Sequence, residues 1–485
     1  MSLTDTIKAL EEQTLPLSPD PAERAALREK VLRITEQFLE NLGHAPVYGQ
    51  DDTGKRTYEA PLTQPEPWAE ILEKVQAELE LPGINAASGR HLGYIPGGGI
   101  YLGSLGDYIA AVYNKYQGVF YASPGGVRME NQLIDWMGQL VGYEQGFAGN
   151  LASGGSIANL TAVVTARDAH QIRGRDIAHT VIYVSDQMHH CLNKAFRIAG
   201  LYEAIVRKVP LDQQFKIIPG ELERQIISDR KAGLKPWLVV ASAGTTDTGI
   251  IDPLADMGTI AAKYGLWYHI DGAYGGFFLL AEEVREQLKA MKMADSIVMD
   301  PHKSLFMPYG LGAVLVKDKR ALYQAHDYQA NYLPDTLDAE ELSPADLSPE
   351  LSKHFRALRM WLPLKLYGEA PFRACLSEKV LLARYFHAEV AARSGFEVGP
   401  FPDLSVVYFR YTACPDPNAF NEKLAKAIQE DGRVFLSTTL LNGQYVIRCA
   451  IVSFRTHLAE VDLALRVIDE KVEELLNELE MNGSK

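Results

Sequence analysis

Four short apolar runs dominate the middle of the chain: Thr180-Val181-Ile182-Tyr183-Val184, Leu238-Val239-Val240-Ala241-Ser242-Ala243, Leu266-Trp267-Tyr268-His269-Ile270 and Ser296-Ile297-Val298-Met299. They are too short for helices, rich in β-branched and aromatic residues, and apolar at nearly every position rather than at alternate ones. Such runs read as strands covered on both faces. Segments of helical period at 157–170, 221–232 and 254–264 lie between or around them. Strands alternating with helices predict an α/β architecture with a mainly parallel sheet. Ligands of such sheets bind outside the carboxyl ends of the strands. The residues that follow each run are therefore the first place to look for chemistry.

The flanks differ in texture. Residues 22–42 and 66–80 mix apolar and charged positions at helical spacing, and Asp20-Pro21 reads as an N-cap with proline at the first helical position. We therefore expect a helical arm over 1–85, a large α/β domain over 86–370, and a smaller C-terminal α+β domain over 371–485. In that last part, helices are expected near 374–393 and 458–480, with strands near 405–411 and 445–451. Residues 325–350, rich in Asp, Glu, Pro, Ser and Leu, read as a long mobile loop.

The formal net charge of −14 argues against nucleic acid or an anionic membrane as partner. No run approaches the length of a membrane span and no secretory signal opens the chain. Cys191, Cys375, Cys414 and Cys449 are scattered without a CxxC pair, as in a reduced, cytoplasmic protein. The histidines lack the close spacing of zinc motifs, so no metal is expected.

At the strand ends stand the residues that carry chemistry. Lys303, in Asp300-Pro301-His302-Lys303-Ser304, offers an amine, which burial would push down in pKa and make nucleophilic. Asp271 ends another run, ahead of Gly272-Ala273. A lysine that can condense with an aldehyde and an aspartate that can keep a pyridine nitrogen protonated are what pyridoxal 5′-phosphate requires. Ser153-Gly154-Gly155-Ser156 opens a helix, where free amides and the helix dipole suit a phosphate, although a serine cap explains the same residues. His189, just past Ser185-Asp186-Gln187-Met188, can stack on a pyridine ring or move protons near it. Thr245 and Thr246 can bond ring substituents or Asp271. His302 either contacts the cofactor or supports the turn. Asp252-Pro253 reads as a second structural N-cap.

In this order the motifs resemble the group II pyridoxal-phosphate-dependent amino acid decarboxylases, the aromatic-L-amino-acid decarboxylase type among them, over roughly residues 85–470. Also shared are Tyr121-Ala122-Ser123-Pro124 before Trp136, and the segments 355–368 and 446–457. The resemblance implies the pyridoxal phosphate-dependent transferase fold, type I, with a mostly parallel seven-stranded sheet. It implies Lys303 as Schiff-base lysine, Asp271 on the ring nitrogen, and His189 and Ala273 on the two ring faces. Ser153 to Ser156 would hold the phosphate, with Thr246, Asp300 and His302 also in the cofactor set. Tyr332 falls where the family carries the tyrosine that returns a proton to the substrate. A homodimer with shared active sites is implied, the leading arm wrapped on the partner.

Asp300 departs from the asparagine of many animal members. An aspartate near that position also occurs in carbon–carbon lyases such as sphingosine-phosphate lyase. The expected reaction is decarboxylation of an L-amino acid to the amine and carbon dioxide. A carbon–carbon lyase, an aldehyde synthase and an idle protein that keeps the fold stand as alternatives. Tyr94, Tyr101, Tyr116, Phe120 and Tyr121 suit an aromatic substrate. Arg128 suits an acidic one.

Overall fold

The computed structural model describes residues 2–50, 62–80, 82–327 and 342–483. The chain divides into two compact units, Met1–Ser88 and Gly89–Lys485. In the first, the described residues form helices Leu3–Thr14, Pro21–Asn41 and Trp68–Glu80, and Tyr48–Gly49 pairs with Gly83–Ile84. Asp20 caps the second helix, its Oδ1 accepting from the amides of Ala22 at 2.7 Å and Glu23 at 2.9 Å. Neither of the first two helices buries a single residue.

The second unit is built on a seven-stranded sheet: β1 (Ala148–Ala152), β2 (Thr180–Val184), β3 (Ile205–Lys208), β4 (Lys235–Ser242), β5 (Trp267–Asp271), β6 (Ser296–Met299) and β7 (Gly312–Val316). Their spatial order is β1-β7-β6-β5-β4-β2-β3. Neighbours are parallel except at β7, which runs antiparallel to both β1 and β6. This is the mostly parallel α/β sheet expected. Every residue of β2, β5, β6 and β7 is buried, as strands covered on both faces must be. Helices α1 (Pro124–Val141), α2 (Gly155–Ala169), α3 (Cys191–Ile198), α4 (Pro219–Lys231) and α5 (Leu254–Tyr264) belong to this layer.

A smaller sheet follows, built from Phe396–Val398, Val406–Tyr411, Phe435–Leu441 and Gln444–Ala450, with His91–Leu92 added in parallel at its margin. Leu382, Phe386, Phe409, Leu424, Ile447 and Ile468 pack it against helices Ala370–Ala391, Pro417–Asp431 and Leu458–Gly483.

Two expectations need correction. Asp252 does not cap α5, which starts at Leu254 with Pro253 before it. Its carboxylate instead accepts from the amides of Ser242 at 2.8 Å and Ile217 at 3.1 Å. Within the expected mobile stretch 325–350, residues 342–350 are packed. Ser343, Leu347 and Ser348 are buried, Asn150 Nδ2 donates to the Pro344 carbonyl at 3.0 Å, and Phe120 N donates to Ser343 Oγ at 3.0 Å. Ser343 and Asp346 close a capping box there, so a polar composition made an ordered turn.

Candidate active site

Because β1, β2, β4, β5 and β6 share one direction, their carboxyl ends meet along one edge of the sheet. β1 runs into Ser153-Gly154-Gly155-Ser156, and Gly155 begins α2. β2 leads to His189, β4 to Gly244-Thr245-Thr246, β5 ends on Asp271, and β6 is followed by Asp300 and the single helical turn Pro301–Ser304 that carries Lys303. These ends enclose a cavity of about 370 Å³, lined by all eleven residues that sequence reading assigned to the cofactor. Tyr332 lies outside the described residues.

The Ser153–Ser156 loop lies directly against Asp300. Gly154 has φ of 154°, which other residues rarely adopt. A Cβ on Gly155 would sit 2.7 Å from Asp300 Oδ2, and one on Gly312 would sit 2.5 Å from the Gly154 carbonyl carbon. The resulting cradle combines bare backbone, two serines and the start of a helix, which suits a phosphate. With an amine and a carboxylate in the same cavity, the donor set fits pyridoxal phosphate.

Asp271 is held from two sides: its Oδ1 accepts from the Ala273 amide at 3.1 Å and its Oδ2 from Asn159 Nδ2 at 3.4 Å. His189 accepts the Cys191 amide on Nδ1 at 3.3 Å, and burial lowers its pKa despite the Asp271 charge. His302 Nδ1–H donates to the Leu311 carbonyl, so this ring supports the turn as well as facing the cavity. Thr245 pairs with the Thr248 hydroxyl at 2.7 Å, not with Asp271.

Lys303 corrects the expectation of a lowered pKa. Burial does pull its ammonium down, but the carboxylates of Asp300, with Oδ2 3.2 Å from Nζ, and Asp271 outweigh burial, and the net direction is up. In the cofactor-free protein this amine is a charged partner of Asp300. Neither Asp300 oxygen makes a well-directed hydrogen bond among the described residues.

Several wall residues escaped sequence reading: Gln187, Asn159, Cys191, Ser242 and Tyr274. Asn159 had a signal, being a polar residue among Ala158, Ala162 and Ala166 on the buried side of α2. Arg448 had none. It reaches from the smaller sheet to the carbonyls of Thr246 and, at 2.8 Å, Asp247. The expected aromatic set and Arg128 do not line the cavity. Tyr94 stacks on Phe435, and Arg128 lies over the Phe120 ring, 5.2 Å from its centroid.

Residues 55–412 match the model of the pyridoxal-dependent decarboxylase conserved domain. The chain belongs to this family. Its cofactor is pyridoxal phosphate and its reaction an amino acid decarboxylation. It is 34% identical to an aromatic-L-amino-acid decarboxylase of Bacillus atrophaeus, over 79% of this chain and 81% of that one. A phenylacetaldehyde synthase of Petunia hybrida is 29% identical over 94% and 96%. In fold, the decarboxylase resembles the Oryza sativa TDC structure with PLP and tryptamine, with a TM-score of 0.90 at 24% identity over 94% of this chain and 99% of that one. The type I fold expected from sequence is thereby shown.

Proposed function

We propose that this decarboxylase acts on an aromatic L-amino acid, with Lys303 as the covalent tether of the coenzyme and Asp271 as the partner of its ring nitrogen. The observation that carries this reading is the convergence of Lys303, Asp271 and the Ser153–Ser156 cradle on one cavity. The bound coenzyme supplies a protonated ring that accepts the electron pair left as carbon dioxide departs.

The chain supplies the rest. Lys303 Nζ would hold the coenzyme through its aldehyde carbon. Asp271 would hold the proton on the ring nitrogen. His189 and Ala273, which line the same cavity, would hold the two faces of the ring. The orientation in which the site holds the substrate would select the bond that breaks. Tyr332 returns a proton to the α-carbon.

An aromatic substrate is supported by the named decarboxylase relative and by Tyr309, an aromatic residue that sequence reading passed over. Its ring lies 5.7 Å from that of His302. The synthase relative favours one second reading, aldehyde formation; Tyr332 speaks for simple decarboxylation.

The bare helices Leu3–Thr14 and Pro21–Asn41 support a homodimer in which a second copy covers the arm. Leu3, Leu15 and Leu17 are more than half exposed. The setting we assign is cytoplasmic. Among the described residues no helix is long and apolar enough to cross a membrane.

The test is an amino acid panel read by carbon dioxide and amine together. We expect one amine per carbon dioxide with aromatic substrates, and no turnover with Lys303→Ala. Aldehyde in place of amine would establish the second reading, and turnover confined to acidic amino acids would overturn the aromatic one.

A further inference from the structure

Behind Asp271 runs a line of buried polar side chains that no catalytic step above uses. Trp267 Nε1 donates to Ser296 Oγ at 2.8 Å, and Ser296 Oγ lies 2.8 Å from His269 Nδ1. On the other side of the imidazole, His269 Nε2 is 2.8 Å from Asn159 Oδ1, and Asn159 Nδ2 donates to Asp271 Oδ2 at 3.4 Å. All five residues are buried. The line spans β5, β6 and α2, so it exists only once the sheet and its covering helix have assembled.

Its two ends admit only one direction of donation. An indole N–H has no lone pair to offer, so Ser296 Oγ accepts from Trp267 and has its own proton left to give. An ionised carboxylate can only accept, so Asn159 must turn its NH₂ toward Asp271 and its carbonyl oxygen toward His269. His269 Nε2 must then carry a hydrogen. Nδ1 is left as acceptor for Ser296, provided the ring is neutral. Burial does hold it neutral, at a pKa of about 4. Reasoning from the indole end and from the carboxylate end therefore gives the same tautomer.

We propose that Asn159 and His269 are positioning residues, the last links of a Trp267–Ser296–His269–Asn159 donor relay that holds the Asp271 carboxylate in one orientation for the cofactor's ring nitrogen. The relay works through aligned dipoles, not through a second charge. A cationic histidine there would draw electron density from the carboxylate and weaken its hold on the ring proton. A neutral one strengthens the Asn159 donor while leaving the full negative charge on Asp271. Asn159 also directs Nδ2 at Cys191 Sγ, 3.6 Å away, so the amide is braced on both sides of the same hydrogen pair. The relay accounts for a buried histidine, serine and asparagine whose polar groups would otherwise be left unpaired.

This inference rests on Asp271 as the ring-nitrogen partner, and two measurements separate the two ideas. In the cofactor-free wild-type protein labelled with ¹⁵N-histidine, His269 should appear as the neutral Nε2–H tautomer at pH 7 and remain neutral at pH 5.5. An Nδ1–H tautomer or a protonated ring would overturn the relay, whatever Asp271 does. In the loaded enzyme, His269→Leu and Asn159→Leu should lower kcat per bound cofactor by 10-fold or more with KM within about 3-fold. They should also reduce protonation of ¹⁵N-labelled coenzyme. His269→Gln, which keeps a donor and an acceptor, should recover most of the loss. Equal kcat in Leu and Gln variants, with unchanged ring-nitrogen signals, would reduce the line to a packing feature. Full activity of Asp271→Asn would remove the ring-nitrogen assignment while leaving the apo tautomer as found.

Discussion

Lys353 offers a sharp test of how the site is anchored. Its side chain is fully buried. Nζ bonds the Glu130 carboxylate on α1 and, at 3.0 Å, Asn150 Oδ1 on β1. Glu130 Oε1 also accepts the Leu151 amide at 3.0 Å, so this ion pair ties the strand that runs into the Ser153–Ser156 loop to the segment following residue 342. Burial pulls the Lys353 ammonium below its usual range, and Glu130 pulls it back. Lys353→Met would leave a carboxylate that is 2% exposed without its cation, and its Oε2 has no hydrogen-bond partner among the described residues even now. Removing one member of a buried pair costs about 3–5 kcal/mol, whereas replacing both with apolar side chains is often neutral. An unfolding entropy of about 2 cal/mol/K per residue gives roughly 1 kcal/mol/K for a chain this long, so Tm should fall by about 3–5 °C. The assay is thermal and urea unfolding of cofactor-free Lys353→Met, Glu130→Met and the double variant. The apo protein is used so that ligand linkage does not enter. We expect the double variant to lie within about 1 kcal/mol of wild type. Single losses under about 1 kcal/mol, or a double loss equal to the sum of the singles, would refute the argument.

Three further outcomes are expected. Asp271→Asn should lower carbon dioxide release by about 100-fold or more with little change in Tm, because a preorganised charge acts on the transition state rather than on folding. Gly155→Ala places a methyl 2.7 Å from Asp300 Oδ2, and overpacking of this kind costs about 1–3 kcal/mol. Coenzyme titration should show affinity weakened about tenfold or more, since the cradle must move. His91 and His269 are buried with pKa values lowered to about 4, so between pH 6.5 and 4 the unfolded chain binds more protons than the folded one. Stability is therefore complete above pH 6.5 and declines as pH falls, by up to about 3 kcal/mol for each histidine. Urea unfolding of His91→Phe should show a flatter decline over that window.

What could be read without coordinates was local in character. The strands at 180–184 and 296–299 were legible because β-branched runs bounded by turn residues report their own conformation. The sites of Lys303 and Asp271 followed from where those runs stop. β1, with glycine and asparagine in Ala148–Ala152, and β3, four residues half exposed at the sheet margin, carry weak strand signals and were missed, as was β7 despite its apolar run Gly312–Val316. The polar stretch after residue 342 misled because its serine and aspartate serve a capping box, and composition cannot distinguish a cap from a mobile loop.

The sequence alone determined the α/β class, the order of chemical groups along the chain and the cofactor they suit, because periodicity and motif order are properties of neighbouring residues. Only the tertiary structure decided that five strand ends share one edge, that Asp300 and Asp271 reverse the effect of burial on Lys303, and that Asn159 and His269 stand in line behind Asp271. Charge coupling and hydrogen-bond direction depend on distances of a few ångströms between residues as much as 112 positions apart, and folding alone sets those distances.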